Sequence, residues 1–203
     1  MTPVTLYRSL LDVVLPTAGA HCDTADGAAV ADSRRALEAG NINYARKWIQ
    51  ADGDDELTEV FTKTLAVRKL TPQAADLADR LFLETLVRLH RMGEGVGFTG
   101  IQPTGTKIEP IVATADQAME TGDDHEVIAL APADRRAELH RRFEVARGKQ
   151  RFDVDEVKGA RDFVVAYVSC YKYAEGEDHE HGHHAHVGGA HDGARAQHEH
   201  ANR

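Results

Sequence analysis

The sequence has few of the residues that mark several common protein classes. Only 6% of its 203 residues are aromatic, and only two, Cys22 and Cys170, are cysteines. Scarce aromatics and only six prolines disfavour a β-sandwich, and two cysteines are too few for a disulfide framework. No apolar run approaches the roughly 20 residues that a membrane-spanning helix requires. These absences leave a soluble, helix-rich protein as the expectation.

Positive charge is also scarce. The chain has 24 Lys and Arg against 33 Asp and Glu, for a formal net charge of -9. Proteins that bind nucleic acid use basic stripes, often with interleaved aromatics, to meet the phosphates, and the sequence has no such stripe. The charge balance therefore disfavours nucleic acid as a partner.

What the chain does contain is apolar residues at helical spacing. Hydrophobic residues make up 42% of the sequence, which is normal for one compact domain. An ungapped offset of 82 residues aligns "ALEAGN" at Ala36 with "AMETGD" at Ala118, and Gly40 with Gly122. The pattern predicts an all-α bundle of two pseudo-repeated halves, at about residues 28–92 and 110–174, within a domain spanning residues 21–174.

The predicted helices span residues 27–38, 43–50, 54–68 and 72–92 in the first half. In the second half they span 109–120, 124–130, 132–147 and 153–173. Thr71 and Asp153 stand at the same offset, and both are good N-cap residues. In the long helix that follows Thr71, the spacing predicts a core-facing stripe of Leu77, Leu81, Leu86 and Leu89.

The first 20 residues fit two interpretations. Leu6 and Leu10 follow a helical period, which predicts an amphipathic first helix. The same stretch, ending in the small residues Ala18-Gly19-Ala20, also resembles a weak signal peptide. The first interpretation predicts a cytoplasmic protein, and the second predicts a protein that is exported and cleaved after Ala20.

Residues 175–203 differ sharply in composition from the rest and are predicted to be a disordered tail. Eight of the 12 histidines of the chain lie there, among Gly, Ala and acidic residues. Neutral imidazoles are preferred ligands of nickel, zinc and copper, and the tail resembles the His-rich segments of nickel and zinc chaperones and stores. The tail therefore predicts metal binding. Its histidines are His179, His181, His183, His184, His186, His191, His198 and His200.

A second candidate metal site is the stretch "HCDTADG", where His21, Cys22 and Asp23 place an imidazole, a thiol and a carboxylate side by side. The stretch resembles the N-terminal hook of nickel superoxide dismutase, which reads His-Cys-Asp-x-x-Cys-Gly. The resemblance implies that His21 and Cys22 are ligands and that cleavage after Ala20 supplies a free amine. Asp26 stands where that family has its second cysteine, and this exchange favours a non-redox site.

A longer resemblance covers about residues 20–174. The segments "HCDTADG", "ALEAGN", "KTLAVRKL" and "ADRLFLETLVRLHRMGEG" are similar to those of an uncharacterised bacterial and archaeal family. The resemblance to this family supports the prediction of a helical domain but implies no mechanism. Many of its members carry an export signal before the His-Cys-Asp stretch.

The segment "ETLVRLHRMGE" supplies further candidates. Glu84 and Arg88 are four residues apart and therefore share a helix face. Glu84 either pairs with Arg88 or joins a metal site with His21 and Cys22. His90 and Glu94 have the same spacing, which can chelate one ion if the helix continues past Gly93; alternatively, His90 caps carbonyls at the end of the helix.

The sequence therefore predicts a helical protein that binds a transition metal for storage, delivery or sensing. Nickel or zinc is expected, with copper as a further candidate, because nitrogen and sulfur dominate the ligand set. The partners expected are the metal ion and either a second copy of the chain or a metalloprotein client. Two alternatives stay open: a redox metalloenzyme of the nickel superoxide dismutase kind, and a non-catalytic helical interaction domain. The candidate ligands are His21, Cys22, Asp23, Asp26, Glu84, His90, His179, His181, His183, His184 and His186.

Overall fold

A computed structural model describes residues 22–176, and these residues form eight α-helices and no β-strand. The predicted all-α fold is confirmed. Residues 1–21, with the predicted first helix or signal segment, and residues 177–203, with the predicted His-rich tail, lie outside the described residues. The helices are α1 Ala28–Ala39, α2 Asn43–Arg46, α3 Asp54–Val67, α4 Pro72–Gly93, α5 Pro110–Thr121, α6 His125–Leu130, α7 Arg136–Lys149 and α8 Val157–Ala174.

The bounds of the helices recur at the predicted offset. Adding 82 to the bounds of α1 gives residues 110–121, the bounds of α5, and adding 82 to those of α3 gives residues 136–149, the bounds of α7. One capping contact recurs as well. Arg68 donates a hydrogen bond to the carbonyl of Leu37 at 2.9 Å, and Gln150 donates one to the carbonyl of Met119 at 3.1 Å. The second half thus repeats the helix order and spacing of the first; the duplication of the sequence itself stays a prediction.

Two helices of the second half begin later than predicted. The helix expected from residue 132 begins at Arg136, and the helix expected from residue 153 begins at Val157. Asp153 instead stabilises a turn by accepting a hydrogen bond from the amide of Asp155 at 2.9 Å. The N-cap of α8 is Glu156, whose carboxylate accepts a hydrogen bond from the amide of Gly159 at 2.7 Å. Asp153, although of a residue type that often caps helices, therefore lies in a turn that precedes α8.

The stripe predicted for α4 is correct only in its second half. Leu86 and Leu89 are buried, but Leu77 is 69% exposed and Leu81 is 57% exposed. The buried face starts instead at Ala78 and continues through Phe82 to Leu86 at intervals of four residues. Successive residues of a helix point about 100° apart around its axis. An error of one residue in the predicted stripe is therefore enough to exchange a buried side chain for an exposed one.

Two glycines end equivalent helices in the left-handed conformation that glycine adopts without strain. Gly40 caps α1 with φ 66°, and Gly122 caps α5 with φ 83°. Their surroundings differ. A Cβ atom on Gly40 would meet nothing within 4 Å, whereas one on Gly122 would lie 2.3 Å from a guanidinium nitrogen of Arg147. The same guanidinium donates a hydrogen bond to the carbonyl of Met119 at 3.1 Å.

We expect Gly122→Ala to destabilise the protein more than Gly40→Ala. Each substitution forces alanine into the left-handed region, at about 1–2 kcal/mol. Gly122→Ala also displaces Arg147 from its carbonyl partner, which adds about 1 kcal/mol. Urea unfolding of both variants measures the difference. Equal losses of stability would show that the Arg147 contact contributes nothing.

The segment between the two halves, residues 94–109, holds the start of the described chain in place. The amide of Gln102 donates to the carbonyl of Asp23 at 3.0 Å, and the amide of Ala25 donates to the carbonyl of Gln102 at 2.9 Å. These bonds form a single parallel bridge between Thr24 and Gln102. The linker therefore fixes the backbone of the Cys-Asp-Thr stretch against the helices.

Among residues 22–176, every helix is too short or too polar to span a lipid bilayer. This finding agrees with the absence of a long apolar run in the sequence.

Candidate functional site

Six polar side chains lie close together in the interior where α4 and α8 end. They are contributed by the start of the described chain, by the last turn of α4 and the residue that caps it, and by the last turn of α8. Each side chain is at most about a tenth exposed. We call this group the buried cluster, and its members are Cys22, Asp23, His90, Arg91, Glu94 and Lys172.

His90 presents a lone pair to the buried cluster. Its Nδ1 lies 2.8 Å from the carbonyl oxygen of Trp48, which can only accept, so Nδ1 carries the proton and donates it. In the neutral ring the lone pair is then on Nε2. This atom is buried, has no hydrogen-bond partner among the described residues and lies 3.9 Å from Oε1 of Glu94. Histidines that bind metals are typically oriented in this way, by a backbone carbonyl on the second nitrogen.

Glu94 caps α4, and its carboxylate turns back into the buried cluster. The backbone of Glu94 keeps helical geometry, with φ -89° and ψ -3°, so the turn continues past Gly93 as the His90–Glu94 spacing requires. Its Oε1 lies 3.3 Å from Nζ of Lys172, and its Oε2 is buried without a hydrogen-bond partner in the described part of the chain. Oε2 also lies 3.9 Å from Nη1 of Arg91, so each carboxylate oxygen faces a cation, although Oε2 accepts no hydrogen bond from residues 22–176.

Asp23 is an almost fully buried carboxylate that faces charges of both signs. Its Oδ2 lies 3.2 Å from Nε of Arg91, while its Oδ1 is buried with no hydrogen-bond partner among residues 22–176. Burial raises the pKa of Asp23 to about 7; Arg91 and Lys172 act against this rise, and Glu94 adds to it. Asp23 is thus poised to release a proton near neutral pH.

We expect the stability of the metal-free protein to fall as pH rises toward 8, because of Asp23. The folded-state pKa lies above the unfolded value of 3.8, so the native state holds the proton more tightly and loses that advantage as pH rises through 7. Between about pH 5 and about pH 8 the loss is on the order of 2 kcal/mol. Urea unfolding of the wild type and of Asp23→Asn, with a chelator present, measures it. Parallel pH profiles for the two proteins would contradict this prediction.

Cys22 is a buried thiol in negative surroundings. Burial raises the pKa of the Cys22 thiol well above its usual range, and the carboxylates of Glu94, Asp23, Asp116 and Glu175 raise the pKa further. Such a thiol is protonated at neutral pH, which excludes the role of a preformed nucleophilic thiolate. A divalent cation reverses this electrostatic effect, since it replaces the thiol proton and attracts the same carboxylates.

Aromatic rings form one wall of the buried cluster. Trp48 lies edge-on to His90, with ring centroids 5.8 Å apart, and edge-on to Tyr167 at 6.0 Å. The hydroxyl of Tyr167 donates to Oδ1 of Asp116 at 2.8 Å, and the indole nitrogen of Trp48 donates to Oδ2 of Asp32 at 2.9 Å. These contacts fix the ring of Trp48, whose carbonyl orients His90.

The structure separates some of the predicted ligands from the buried cluster. Asp26 is exposed, and its Oδ2 accepts a hydrogen bond from the amide of Gly105 at 3.3 Å. Glu84 is on the outer side of α4 and pairs with Arg80 at 2.8 Å; the predicted pair with Arg88 is wrong, because Arg88 reaches across to Glu56 on α3.

The remaining candidate ligands are His21 and the tail histidines, and the chain has two thiols, Cys22 and Cys170. His21 precedes Cys22 in the sequence but lies outside the described residues, as do all the histidines of the tail. Cys170 is buried on α8, and burial raises the pKa of this thiol to about 12. Cys22 and Cys170 are both free thiols, so the structure contains no disulfide between them.

Within residues 22–176, no group of three or more His, Cys, Asp or Glu side chains is close enough to hold one ion as the side chains stand. In the buried cluster, Nε2 of His90 and Oε1 of Glu94 are 3.9 Å apart. Two ligands bound to the same zinc ion at a tetrahedral angle lie roughly 3.4 Å apart. Binding of one ion by His90 and Glu94 would therefore require these two side chains to approach each other.

Comparison with known proteins places the chain in a family. A family model described as a family of unknown function (DUF6448) matches residues 26–173. The chain belongs to this family. The match includes His90, Glu94 and Lys172, and it starts just after Cys22 and Asp23. No curated protein and no solved structure matches the chain.

The sequence gives little indication of the two cations of the buried cluster. Arg91 and Lys172 look like ordinary charged residues at helix ends, where they are favoured by the helix dipole. One signal could have identified Lys172: the offset of 82 residues aligns it with His90. The equivalent positions of α4 and α8 thus contribute a histidine and a lysine to the same interior region.

Proposed function

We propose that this protein binds one transition-metal ion, nickel or zinc, in its folded domain, with Cys22, His90 and Glu94 as ligands. The observation that carries the proposal is the buried, unpartnered Nε2 of His90, oriented toward the Glu94 carboxylate by the carbonyl of Trp48. Nitrogen, sulfur and oxygen donors together suit these metals better than calcium or magnesium.

Two further observations support a cation in the buried cluster. Its unpartnered carboxylate atoms, Oδ1 of Asp23 and Oε2 of Glu94, can only accept, as can Nε2 of His90 in the tautomer present. The four charges that raise the pKa of Cys22 are carboxylates, whereas Asp23 and Glu94 also face the cations Arg91 and Lys172. The acceptor atoms and the four carboxylates favour a bound cation, and Arg91 and Lys172 oppose it.

The proposed role is metal storage, delivery or sensing rather than redox catalysis. A redox centre of the nickel superoxide dismutase kind relies on two thiolates. Asp26, which stands at the position of the second one, is exposed and accepts a hydrogen bond from Gly105. A centre with one thiolate favours a metal that keeps its oxidation state.

Cobalt titration tests the proposal, because a thiolate bound to Co²⁺ gives a near-ultraviolet charge-transfer band that nitrogen and oxygen ligands do not. The tail contains no cysteine, so the band reports only Cys22 or Cys170. We expect the full-length chain to give the band with an endpoint of one Co²⁺ for each chain. Cys22→Ser should abolish the band, and Cys170→Ser, the matched control, should keep it. A band that survives in Cys22→Ser, or no band in the wild type, would overturn the proposal.

A further inference from the structure

The outer face of α4 carries exposed leucines near the start of the helix. Leu77 and Leu81 are more than half exposed, and Leu70, in the turn that precedes α4, is 73% exposed. Leu77 and Leu81 are four residues apart, so they lie one above the other on the same face of the helix. Their exposure shows that no other part of residues 22–176 covers them. Neighbouring exposed leucines of this kind mark a surface that another protein chain covers.

A row of alternating charges runs along α4 beside these leucines. Its members follow one another at intervals of four residues and are Asp76, Arg80, Glu84 and Arg88. Within the chain, Nε of Arg80 donates to Glu84 at 2.8 Å, and Arg88 pairs with Glu56 on α3. The Arg80 side chain is 73% exposed, so the terminal nitrogens of its guanidinium can donate to a second carboxylate.

The order of the charges in this row is complementary to itself when a second α4 runs antiparallel to the first. With a two-fold axis midway between residues 80 and 84, Arg80 faces Glu84 of the second copy, and Asp76 faces Arg88 of the second copy. Symmetry makes each of these contacts twice, and no like charges of the row meet. Rows at intervals of four residues also pack against each other in the commonest class of helix contact.

The charge balance of the row favours a second copy over an oppositely charged partner. Each chain has a formal net charge of -9, so two copies repel each other over most of their surface. The row itself holds two acidic and two basic residues and is neutral. Two copies can therefore approach at this face, where the leucines leave water and the charges find opposite partners. A strongly acidic or strongly basic partner gains no attraction from a neutral row.

We propose that two copies of this chain associate through antiparallel α4 helices, with Leu81 nearest the two-fold axis and the row of alternating charges paired beside it. The contact is at the start and middle of α4, outside the buried cluster, and it needs no metal ion. We expect a dissociation constant on the order of 10 µM, because a contact between single helices is small. At about 1 µM the chain is then mostly monomeric, so unfolding at that concentration reports the single chain.

Sedimentation velocity of charge variants, alone and mixed, tests this interface. The samples are full-length chains at about 100 µM, roughly tenfold above the expected dissociation constant, with a chelator present so that no metal ion joins two copies. Arg80→Glu places carboxylates opposite each other in a dimer of that variant, and Glu84→Arg places guanidinium groups opposite each other. An equal mixture of the two variants restores opposite charges across the contact, although the pair within each chain stays broken.

We expect the wild type to be mostly dimeric, each single variant to associate at least about tenfold more weakly, and the mixture to dimerise. Lys158→Glu is the matched control, since it makes the same change of charge in an exposed pair with Asp162 on α8, and it should dimerise like the wild type. Leu81→Asp should be monomeric.

Urea unfolding at about 1 µM, where the chain is mostly monomeric, checks that every variant is folded. A monomeric wild type would overturn the proposal and leave the leucine face to a different partner. Single variants that dimerise like the wild type, or a mixture that associates no better than its components, would equally overturn it. None of these results affects the proposed metal centre, which the cobalt band tests separately.

Discussion

A chain that carries His90→Gln is expected to bind Zn²⁺ at least about 100-fold more weakly than its parent. Glutamine keeps a polar side chain of similar length but removes the aromatic nitrogen whose lone pair faces Glu94. Loss of the groups that merely orient a metal ligand typically costs 10–100-fold in affinity, so loss of the ligand itself should cost at least the upper value. The measurement is competition with a chromogenic chelator in full-length chain whose eight tail histidines are replaced by alanine.

Glu84→Gln is the matched control for this prediction. Glu84 is on the same helix and was an equally plausible ligand from the sequence, but it is paired with Arg80 on the outer side. We expect its affinity for Zn²⁺ to stay within about twofold of the parent, since an exposed ion pair contributes little. Equal losses in the two variants would show that His90 has no special role.

The second large effect is expected in the core. Leu86→Ala should destabilise the protein by about 2–5 kcal/mol, because Leu86 is fully buried and its removal leaves a cavity among well-packed neighbours. Leu81→Ala makes the same chemical change five residues earlier on the same helix, where the side chain is 57% exposed. It should change stability by less than about 1 kcal/mol.

Urea unfolding of both leucine variants checks this pair. The comparison also decides which of two stripes faces the core, the one inferred from leucine spacing or the one observed in the structure. If Leu81→Ala lowers the free energy of unfolding as much as Leu86→Ala does, the stripe inferred from the sequence is the one that faces the core.

Most of the fold could be predicted from local sequence signals. Gly40 and Gly122 mark helix ends, and Thr71 caps the long helix α4 as expected, accepting a hydrogen bond from the amide of Ala74 at 3.0 Å. The errors arose where several local interpretations were equally good. Leucines occupy both faces of α4, and periodicity alone does not determine which face meets α1 and α3.

Less of the candidate site could be predicted, because its geometry depends on contacts between distant parts of the chain. The spacing of His90 and Glu94 was visible in the sequence, and so was the ligand character of Cys22. The carbonyl of Trp48 that orients His90 is 42 positions away, and Lys172 approaches Glu94 from the other half. No local pattern encodes such contacts, although the internal offset aligns His90 with Lys172.

Residues 23–25 show how the linker contributes to the site. A Gly-rich segment without a strand looked only like a connection between halves, yet Gln102 bonds to both Asp23 and Ala25. These bonds hold Cys22 and Asp23 against the ends of α4 and α8. The linker is therefore part of the structure that positions the proposed ligands.

X-ray absorption at the zinc edge reports directly whether Cys22 binds the metal ion. The sample is full-length chain with alanine at the eight tail histidines, loaded with one equivalent of Zn²⁺. We expect one sulfur neighbour at about 2.3 Å, with nitrogen and oxygen neighbours at about 2.0–2.2 Å. A spectrum with only nitrogen and oxygen neighbours, or a protein that does not retain the ion, would contradict a metal centre built on Cys22, His90 and Glu94.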